Sequence, residues 1–230
     1  MTFVQLIDCR TDRFDEMNRL MDRWVEQTRG RRTATHDIVG KDRSDSSHFI
    51  EIVEFPSYEE AMRNSGLPET DRVFQEMVAL CEEAPTFTDL DVVRDEQLNV
   101  LAARAFFEAM GRMEPERVGD HVTEDYVDHD PAYLRPVQGV EGLREQYADW
   151  KAAFDFGFRI DGQLAEDDQV CTRWTWAARH KGEFLGIEPT GQDVTMRGMT
   201  WQRFTGGRIS ESHWIYDRAG LMEQLGVLGR

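Results

Sequence analysis

Aromatic side chains and histidines recur at every second position in two stretches of the C-terminal half. In the first stretch, strand alternation places Trp174, Trp176 and His180 on one face. In the last predicted strand, the same alternation places Ser212, Trp214 and Tyr216 on one face. Indole rings on a concave sheet face would bind a flat, apolar ligand, with histidines and hydroxyl groups at its edge. The two stretches therefore predict a small-molecule pocket.

Each of these side chains also has a structural interpretation. Aromatic residues on a sheet face usually pack in the core, which favours a packing role for Trp174 and Trp176. His180 precedes Gly182 at a strand end, where a structural hydrogen bond competes with a role in the pocket. For Trp214 the two interpretations are equally balanced.

Two further residues could take part in proton transfer or ligand binding. His129 lies in an Asp-His-Asp-Pro segment, where a turn or helix-capping role competes with ligand contact. The same segment suggests a metal, but no partner histidine stands at ligand spacing, so we predict no metal site. Asp217 is either the N-cap of the last helix or a base.

The composition limits the range of functions. The 230 residues carry a net charge of −17, which disfavours binding to phosphate backbones and anionic lipid surfaces as a main role. Cys9, Cys81 and Cys171 stand far apart without ligand spacing, which predicts free, buried thiols in a reducing compartment. No apolar run approaches membrane-spanning length, and the first nine residues do not resemble a signal peptide. We therefore expect a cytoplasmic protein.

The first 95 residues predict a small α+β domain. Its helices show apolar residues at three- and four-residue steps, and its strands are rich in β-branched and aromatic residues. Ser57 and Glu60 form a capping-box pattern before the second helix, which is interrupted near Pro68. The predicted strands are Phe3–Cys9, Thr33–Val39, His48–Phe55 and Thr86–Val93, and the helical regions are Phe14–Thr28 and 57–81. The order βαββαβ is that of a ferredoxin-like domain, whose uncovered sheet face often pairs with a second copy.

Residues 98–230 predict a second α+β domain, with helices first and a curved antiparallel sheet after them. Thr205-Gly206-Gly207 predicts a hairpin turn between the last two strands. The predicted helices are Asn99–Met110, a short one from Pro115, Val140–Phe154 and Ala219–Leu225; the strands are Phe158–Leu164, Gln169–Lys181, Val194–Phe204 and Arg208–Tyr216. The segment Tyr126–Val137 is predicted to be a loop. The expected shape is a cone closed by the helices.

The first domain resembles the antibiotic-biosynthesis-monooxygenase type of dimeric α+β barrel. The likeness rests on the element order and on the stretch Ile50–Glu69 (IEIVEFPSYEEAMRNSGLPE). Some members of that family oxidise aromatic polyketides without a cofactor, and others degrade haem. The resemblance assigns no catalytic residue to this chain.

A series of motifs runs through the second domain in order. They are DYVDHDP (Asp125–Pro131), GVEG (Gly139–Gly142), RHKGEFLG (Arg179–Gly186), PTG (Pro189–Gly191) and the run from Gly207 to Gly226. With this series the domain resembles the SnoaL-like polyketide cyclases, also called ester cyclases, of the nuclear-transport-factor-like fold. The fold hosts several unrelated reactions and also inert binding modules, so the motifs predict the fold more strongly than the reaction.

The resemblance implies an intramolecular aldol condensation. In those cyclases a carboxylate removes a carbon-bound proton, and neighbouring donors stabilise the enolate without a metal or cofactor. The family base lies three residues before the aspartate of an Asp-x-x-Gly motif. Here that aspartate is Asp217, so the base position holds Trp214, and a family histidine on the preceding strand aligns with Thr200. The expected base is therefore missing, and Asp217 or His180 would take the proton.

Three functions follow as hypotheses. The first is a cyclase-type enzyme of secondary metabolism that acts on an aromatic or polycyclic molecule without a metal or redox cofactor. His180, Asp217 and His129 would be catalytic, and Tyr126, Trp174, Trp176, Thr200 and Trp214 would bind the substrate. Tyr126 would either donate to the enolate or cover the mouth of the pocket. The second is a cofactor-independent monooxygenase in the first domain, and the third is a non-catalytic binding protein. We expect a homodimer in each case, with no nucleic-acid or membrane partner.

Overall fold

The computed structural model describes residues 2–112 and 114–227 and divides the chain into two compact units, residues 1–95 and 96–230. Each unit has a hydrophobic core of its own. The three cysteines are free, as predicted, but they are half-buried rather than buried. In the described part of the chain, no helix is long and apolar enough to cross a membrane.

The first unit is a four-stranded antiparallel sheet with three helices. Its elements are β1 (Phe3–Arg10), α1 (Phe14–Gln27), β2 (His36–Lys41), β3 (His48–Phe55), α2 (Tyr58–Ser65), α3 (Pro68–Leu80) and β4 (Thr86–Asp91). The sheet order is β2-β3-β1-β4, and every neighbouring pair is antiparallel. Helix α1 buries Met17, Leu20 and Trp24, which are spaced at helical intervals, in the core of the unit.

Local hydrogen bonds explain where these elements begin. The Ser57 hydroxyl accepts from the Glu60 backbone N–H, which confirms the predicted N-cap. The predicted break before Pro68 is also present and separates α2 from α3. Strand β2 begins three residues later than predicted, because Thr33 bonds to α2 instead of to the sheet: its N–H donates to Asn64 Oδ1 and its hydroxyl to Glu60 O.

The second unit wraps a six-stranded sheet around two long helices. Its elements are α4 (Leu98–Gly111), α5 (Pro115–Val118), a 3₁₀ turn (Gly119–His121), β5 (Val122–His129), β6 (Val137–Gln138), α6 (Gly139–Ala153), β7 (Phe154–Glu166), β8 (Gln169–His180), β9 (Asp193–Thr205), β10 (Arg208–Tyr216) and α7 (Arg218–Gln224). The sheet order is β6-β5-β10-β9-β8-β7. Only β5 and β10 pair in parallel among the described strands. The core between sheet and helices includes Phe106 and Phe107 of α4 and Tyr147 of α6.

Strand β5 extends into a segment that was predicted to be a loop. The segment Tyr126–Val137 was predicted to be a loop, but its first four residues belong to β5. Strand β5 pairs with the nearby β6, but its other partner is β10, more than eighty residues later, and no local pattern reveals that pairing. The inward face of β5 carries Tyr126 and Asp128, which are almost fully buried.

A β-bulge in β10 decides which of its side chains face the core. The register of β10 shifts between Ile209 and Glu211 against both of its neighbours. Ile209 faces inward, but after the bulge the inward positions become Ser212, Trp214 and Tyr216, as predicted. The hairpin before β10 turns at Gly206 and Gly207, which have φ values of 58° and 79° and so fit the predicted two-residue turn.

Candidate functional site

A largely apolar cavity lies between the inner face of the second sheet and the helices α4 and α6. It leaves about 50 Å³ to water-sized molecules. The lining residues are Met110, Asp128, Asp130, Leu143, Gln146, Tyr147, Trp150, Phe156, Phe158, Trp174, Trp176, Met196, Trp214 and Tyr216. The cavity is therefore an aromatic chamber with two carboxyl groups.

The aromatic wall comes from β7, β8 and β10. The Trp174 ring lies edge-on to Phe158, with 5.3 Å between ring centroids, and 5.9 Å from the Trp214 ring. Trp176 packs edge-on against Trp150 of α6 at 5.9 Å. Edge-to-face pairs at these separations hold the rings in fixed orientations. The predicted pocket residues Trp174, Trp176 and Trp214 thus all line one cavity.

Asp128 is the buried carboxyl group of this chamber, with only 1% of its surface exposed. Its Oδ2 accepts hydrogen bonds from the Tyr126 hydroxyl at 2.6 Å and from Trp214 Nε1 at 3.1 Å. Its Oδ1 is buried and has no hydrogen-bond partner among the described residues. One face of the carboxyl group is therefore fixed by two donors, and the other oxygen is available to a ligand.

Burial raises the pKa of Asp128 to about 7. The negative charge of Asp130 also raises this pKa, whereas the hydrogen bonds from Tyr126 and Trp214 lower it. The Gln146 amide lies close enough to lower the pKa further without bonding to Oδ1. Because its pKa lies near neutrality, Asp128 would both accept and return a proton at physiological pH.

Asp130, two residues further along, is the second carboxyl group in the cavity. It accepts from the Tyr216 hydroxyl, from Gln146 Nε2 at 3.1 Å and from the Ala132 backbone N–H at 2.8 Å. Burial raises its pKa as well, and the hydrogen bond from Tyr216 opposes that rise. With three donors, Asp130 is more fully bonded than Asp128, so the arrangement singles out Asp128 as the more reactive group.

Tyr126 and Thr200 lie one layer behind the cavity lining. Tyr126 is fully buried and donates its hydroxyl to Asp128. Thr200 is also fully buried, and its hydroxyl accepts from Trp174 Nε1 at 2.8 Å. Both were predicted to bind substrate; the structure places them as supports for residues that line the cavity.

The three residues predicted to be catalytic lie away from the cavity lining. His180 is buried, but its Nδ1 accepts from the Thr190 backbone N–H at 3.1 Å and so fixes the loop after β8. Asp217 is exposed and caps α7, because its Oδ1 accepts from the Gly220 N–H at 2.8 Å. His129 is half-buried on the opposite face of β5 from Asp128.

The sequence prediction missed Asp128, although the residue stands inside one of the quoted motifs. The alternation that was applied to β8 and β10 would have placed Tyr126 and Asp128 on one face of a strand. The concentration of Asp, His and Pro after position 127 favoured a loop and concealed that alternation.

The raised pKa of Asp128 makes stability depend on pH. An aspartate in an unfolded chain titrates near about 3.9. Between that value and about 7 the folded state keeps a proton that the unfolded state has lost, so the free energy of unfolding falls as pH rises. Asparagine does not titrate, so we expect the free energy of unfolding of Asp128→Asn not to fall in this way. The difference in unfolding free energy, variant minus wild type, should therefore be larger at pH 8 than at pH 4.5. The gain is at most about 4 kcal/mol, because a difference of roughly three pKa units is worth about 1.4 kcal/mol each.

Urea unfolding followed by tryptophan fluorescence measures this difference, because five of the six tryptophans (150, 174, 176, 201 and 214) lie in the second unit. Asp125→Asn is the matched control, since Asp125 is an exposed residue of the same strand. An equal change in stability at both pH values would contradict the raised pKa.

Comparisons with known proteins agree with this architecture. The chain is 29% identical to a candidate polyketide cyclase from Acidithiobacillus ferrooxidans, with 60% of this chain and 98% of that one covered and a TM-score of 0.52. It is 26% identical to AclR, a candidate hydroxylase from Streptomyces galilaeus (57% and 87% covered, TM-score 0.52), and to IdmH, a candidate polyketide cyclase from Streptomyces antibioticus (57% and 100% covered, TM-score 0.50).

No curated protein matches the chain. The family model described as SnoaL-like polyketide cyclase matches residues 100–225, which span more than half of the chain and lie within the second unit. The chain belongs to the SnoaL-like polyketide cyclase family.

Proposed function

We propose that the second unit catalyses a cyclase-type reaction of secondary metabolism on an aromatic or polycyclic molecule, with Asp128 as the general base. The observation that carries the proposal is the buried carboxyl group with one unbonded oxygen in an aromatic cavity. Membership of the SnoaL-like family supports the reaction class, as do the polyketide cyclase names of similar structures.

The tryptophan at the family's base position supports this assignment. Trp214 cannot accept a proton, but its indole N–H donates to Asp128 Oδ2. The residue that replaces the expected base thus positions a carboxyl group on the neighbouring strand. The base has moved from β10 to β5, while it still faces the same cavity.

The proposed step balances without an oxidant or reductant. Asp128 Oδ1 takes a proton from a carbon next to a carbonyl group, and the electron pair of that C–H bond forms an enolate. The enolate carbon attacks a second carbonyl carbon of the same molecule, which forms a C–C bond and leaves an alkoxide. The protonated Asp128 then returns its proton to that alkoxide, so the product is an isomer of the substrate.

The cavity also indicates what kind of ligand it would accept. Asp128 Oδ1 and Gln146 Oε1 are both buried acceptors without partners in the described residues, so a ligand hydroxyl group would satisfy one of them. A polycyclic ring system needs more than the roughly 50 Å³ that is open to water-sized molecules. Trp150 and Phe158 are only partly buried, and we propose that these two rings shift when the ligand enters, while Trp214 keeps its hydrogen bond to Asp128.

An exchange experiment tests the base directly. The probe is an aromatic β-keto ester in D₂O, and NMR measures the rate at which its α-hydrogens are replaced by deuterium. We expect wild type to accelerate this exchange and Asp128→Asn to lose at least a hundredfold of the acceleration, because general-base catalysis contributes about 10²–10⁴-fold.

Asp217→Asn and His180→Ala are the controls, since both residues lie outside the cavity lining. Binding of the probe is measured separately by quenching of tryptophan fluorescence. Full exchange activity in Asp128→Asn would exclude Asp128 as the base. Binding without any exchange in wild type would favour the non-catalytic binding protein instead.

A second cavity favours the alternative function in the first unit. It leaves about 290 Å³ to water-sized molecules and is lined by the buried Glu51 and Asn64 as well as Trp24. Burial raises the pKa of Glu51 to about 8, and the charge of Asp37 adds to the rise. We propose as the second candidate that this cavity binds an anthrone-type molecule for cofactor-independent oxidation by O₂. The neutral acid of Glu51 would donate a hydrogen bond to the anthrone oxygen.

Oxygen uptake by the full chain with anthrone tests this candidate. Each anthrone that is oxidised to the quinone consumes one O₂, of which one oxygen atom becomes the new carbonyl oxygen and the other leaves as water with the two hydrogens of the anthrone CH₂ group, so O₂ uptake reports the reaction. We expect Glu51→Leu to lower uptake at least tenfold, while Asp128→Asn leaves it unchanged. Glu54→Gln is the matched control, because Glu54 lies on the opposite face of the same strand. Absence of uptake in wild type, with anthrone binding demonstrated, would remove the candidate.

We also propose that the first unit has a ferredoxin-like fold and that the protein forms a homodimer. The strand order β2-β3-β1-β4 supports the first. On the sheet face opposite the first unit's core, Ile38, Ile50 and Leu90 are between 36% and 44% exposed, which supports pairing with a second copy.

A further inference from the structure

Two histidines and a glutamate meet on the outer face of the second sheet, opposite the aromatic cavity. Nε2 of His213 lies 2.9 Å from Glu211 Oε1, and Nε2 of His129 lies 3.3 Å from the same oxygen. The two imidazole rings stack with 4.1 Å between centroids and 8° between planes. One atom of each residue lies within 4.8 Å of the other two.

The fold rather than the local sequence creates this cluster. In the parallel pair of β5 and β10, His129 is the register partner of His213. The bulge in β10 turns Glu211 and His213 to the outer face, where they stand two residues apart. The sequence predicted no metal site because no partner histidine stands at ligand spacing along the chain. The partner comes instead from the neighbouring strand.

We propose that His129, Glu211 and His213 bind one divalent transition-metal ion of the Zn²⁺ class. Two imidazole nitrogens and one carboxylate oxygen are the ligands that such ions take in His₂Glu sites, with a fourth position left to water. Hard cations such as Mg²⁺ and Ca²⁺ prefer sites built from oxygen ligands alone, and two of the three ligands here are nitrogens.

The distances between the ligand atoms suit a single ion. Tetrahedral Zn²⁺ with bonds of about 2.0–2.1 Å holds its ligand atoms roughly 3.3 Å apart. The two Nε2–Oε1 distances of 2.9 and 3.3 Å are close to that separation. Because the rings are nearly parallel, each must rotate about its side-chain bonds to direct its lone pair at the ion. All three side chains are partly exposed, with values of 29–42%, so the rotation meets little resistance.

The charges around the cluster permit a cation. Glu211 supplies the carboxylate of the cluster, and its Oε1 is the oxygen that faces both imidazole rings. Arg203 Nη1 stands 4.0 Å from the other oxygen, Oε2, and leaves Oε1 to the histidines. The same guanidinium lies 4.0 Å from Asp168 and stacks over Trp201, which faces His213. The positive charge of Arg203 repels a metal ion, so we expect the cluster to bind the ion with micromolar rather than nanomolar affinity.

The position of the site gives it a structural consequence. His129 follows Asp128 in β5 and His213 precedes Trp214 in β10, so each of the two histidines is the chain neighbour of a cavity residue on the opposite face. An ion shared by the two histidines would join β5 to β10 directly behind the Asp128–Trp214 hydrogen bond. The metal ion would stabilise the pairing of β5 with β10, and thus the position of Asp128, without contacting a molecule bound in the cavity.

Isothermal titration of the untagged full chain with Zn²⁺ tests the proposal. We expect one saturable site with a micromolar Kd and a rise in Tm with Zn²⁺ concentration. His129→Ala and His213→Ala should each weaken binding at least tenfold, and the double variant should abolish it. Co²⁺ should give the visible absorption of a histidine-ligated site in wild type and not in the double variant.

His36→Ala is the matched control, because His36 is a half-exposed strand histidine of the first unit. It should bind Zn²⁺ as wild type does. Circular dichroism confirms that each variant is folded before titration. Unchanged Zn²⁺ affinity in the double variant, or no saturable binding by folded wild type, would overturn the proposal.

Discussion

The hydrogen bonds that hold the buried carboxyl group of Asp128 are the interaction on which the site depends. A carboxyl group in an apolar chamber is costly to ionise, because burial separates it from the bulk water that would otherwise solvate it. Tyr126 and Trp214 offset part of that cost at Oδ2 and fix the orientation of the group. The remaining oxygen is left without a partner, which raises its affinity for a proton and for a ligand donor.

The arrangement of strands makes those bonds possible. Asp128 and Trp214 are 86 residues apart in the chain, and only the parallel pairing of β5 with β10 brings them together. The bulge after Ile209 then selects which side chains of β10 turn inward. It places Trp214 against the carboxyl group, and the same shift sends Glu211 and His213 outward to meet His129. One irregularity therefore shapes both faces of the sheet.

Periodicity and motifs predicted the strands β8 and β10, the hairpin turn at Gly206 and the pocket positions of Trp174, Trp176 and Trp214, because local alternation determines which face of a strand a residue occupies. The family assignment of residues 100–225 is confirmed as well. Asp128 was not predicted, because the Asp, His and Pro residues after position 127 favour a loop and conceal the alternation of β5, and because its hydrogen bond to Trp214 needs a non-local strand pair. For His180 and Asp217 the sequence left a catalytic role open beside a structural hydrogen bond and an N-cap, respectively, and the structure shows those two structural bonds.

Because it is buried in the aromatic cavity, Asp128 should stay largely protonated until near neutral pH. A ¹³C NMR titration of its side-chain carboxyl group, assigned by its loss in Asp128→Asn, measures this directly. We expect a midpoint near pH 7 in wild type. The midpoint should be higher in Trp214→Phe, which lacks one of the donors that favour the ionised form. A carboxyl group that titrates near pH 4 in the folded protein would contradict the proposed role of Asp128.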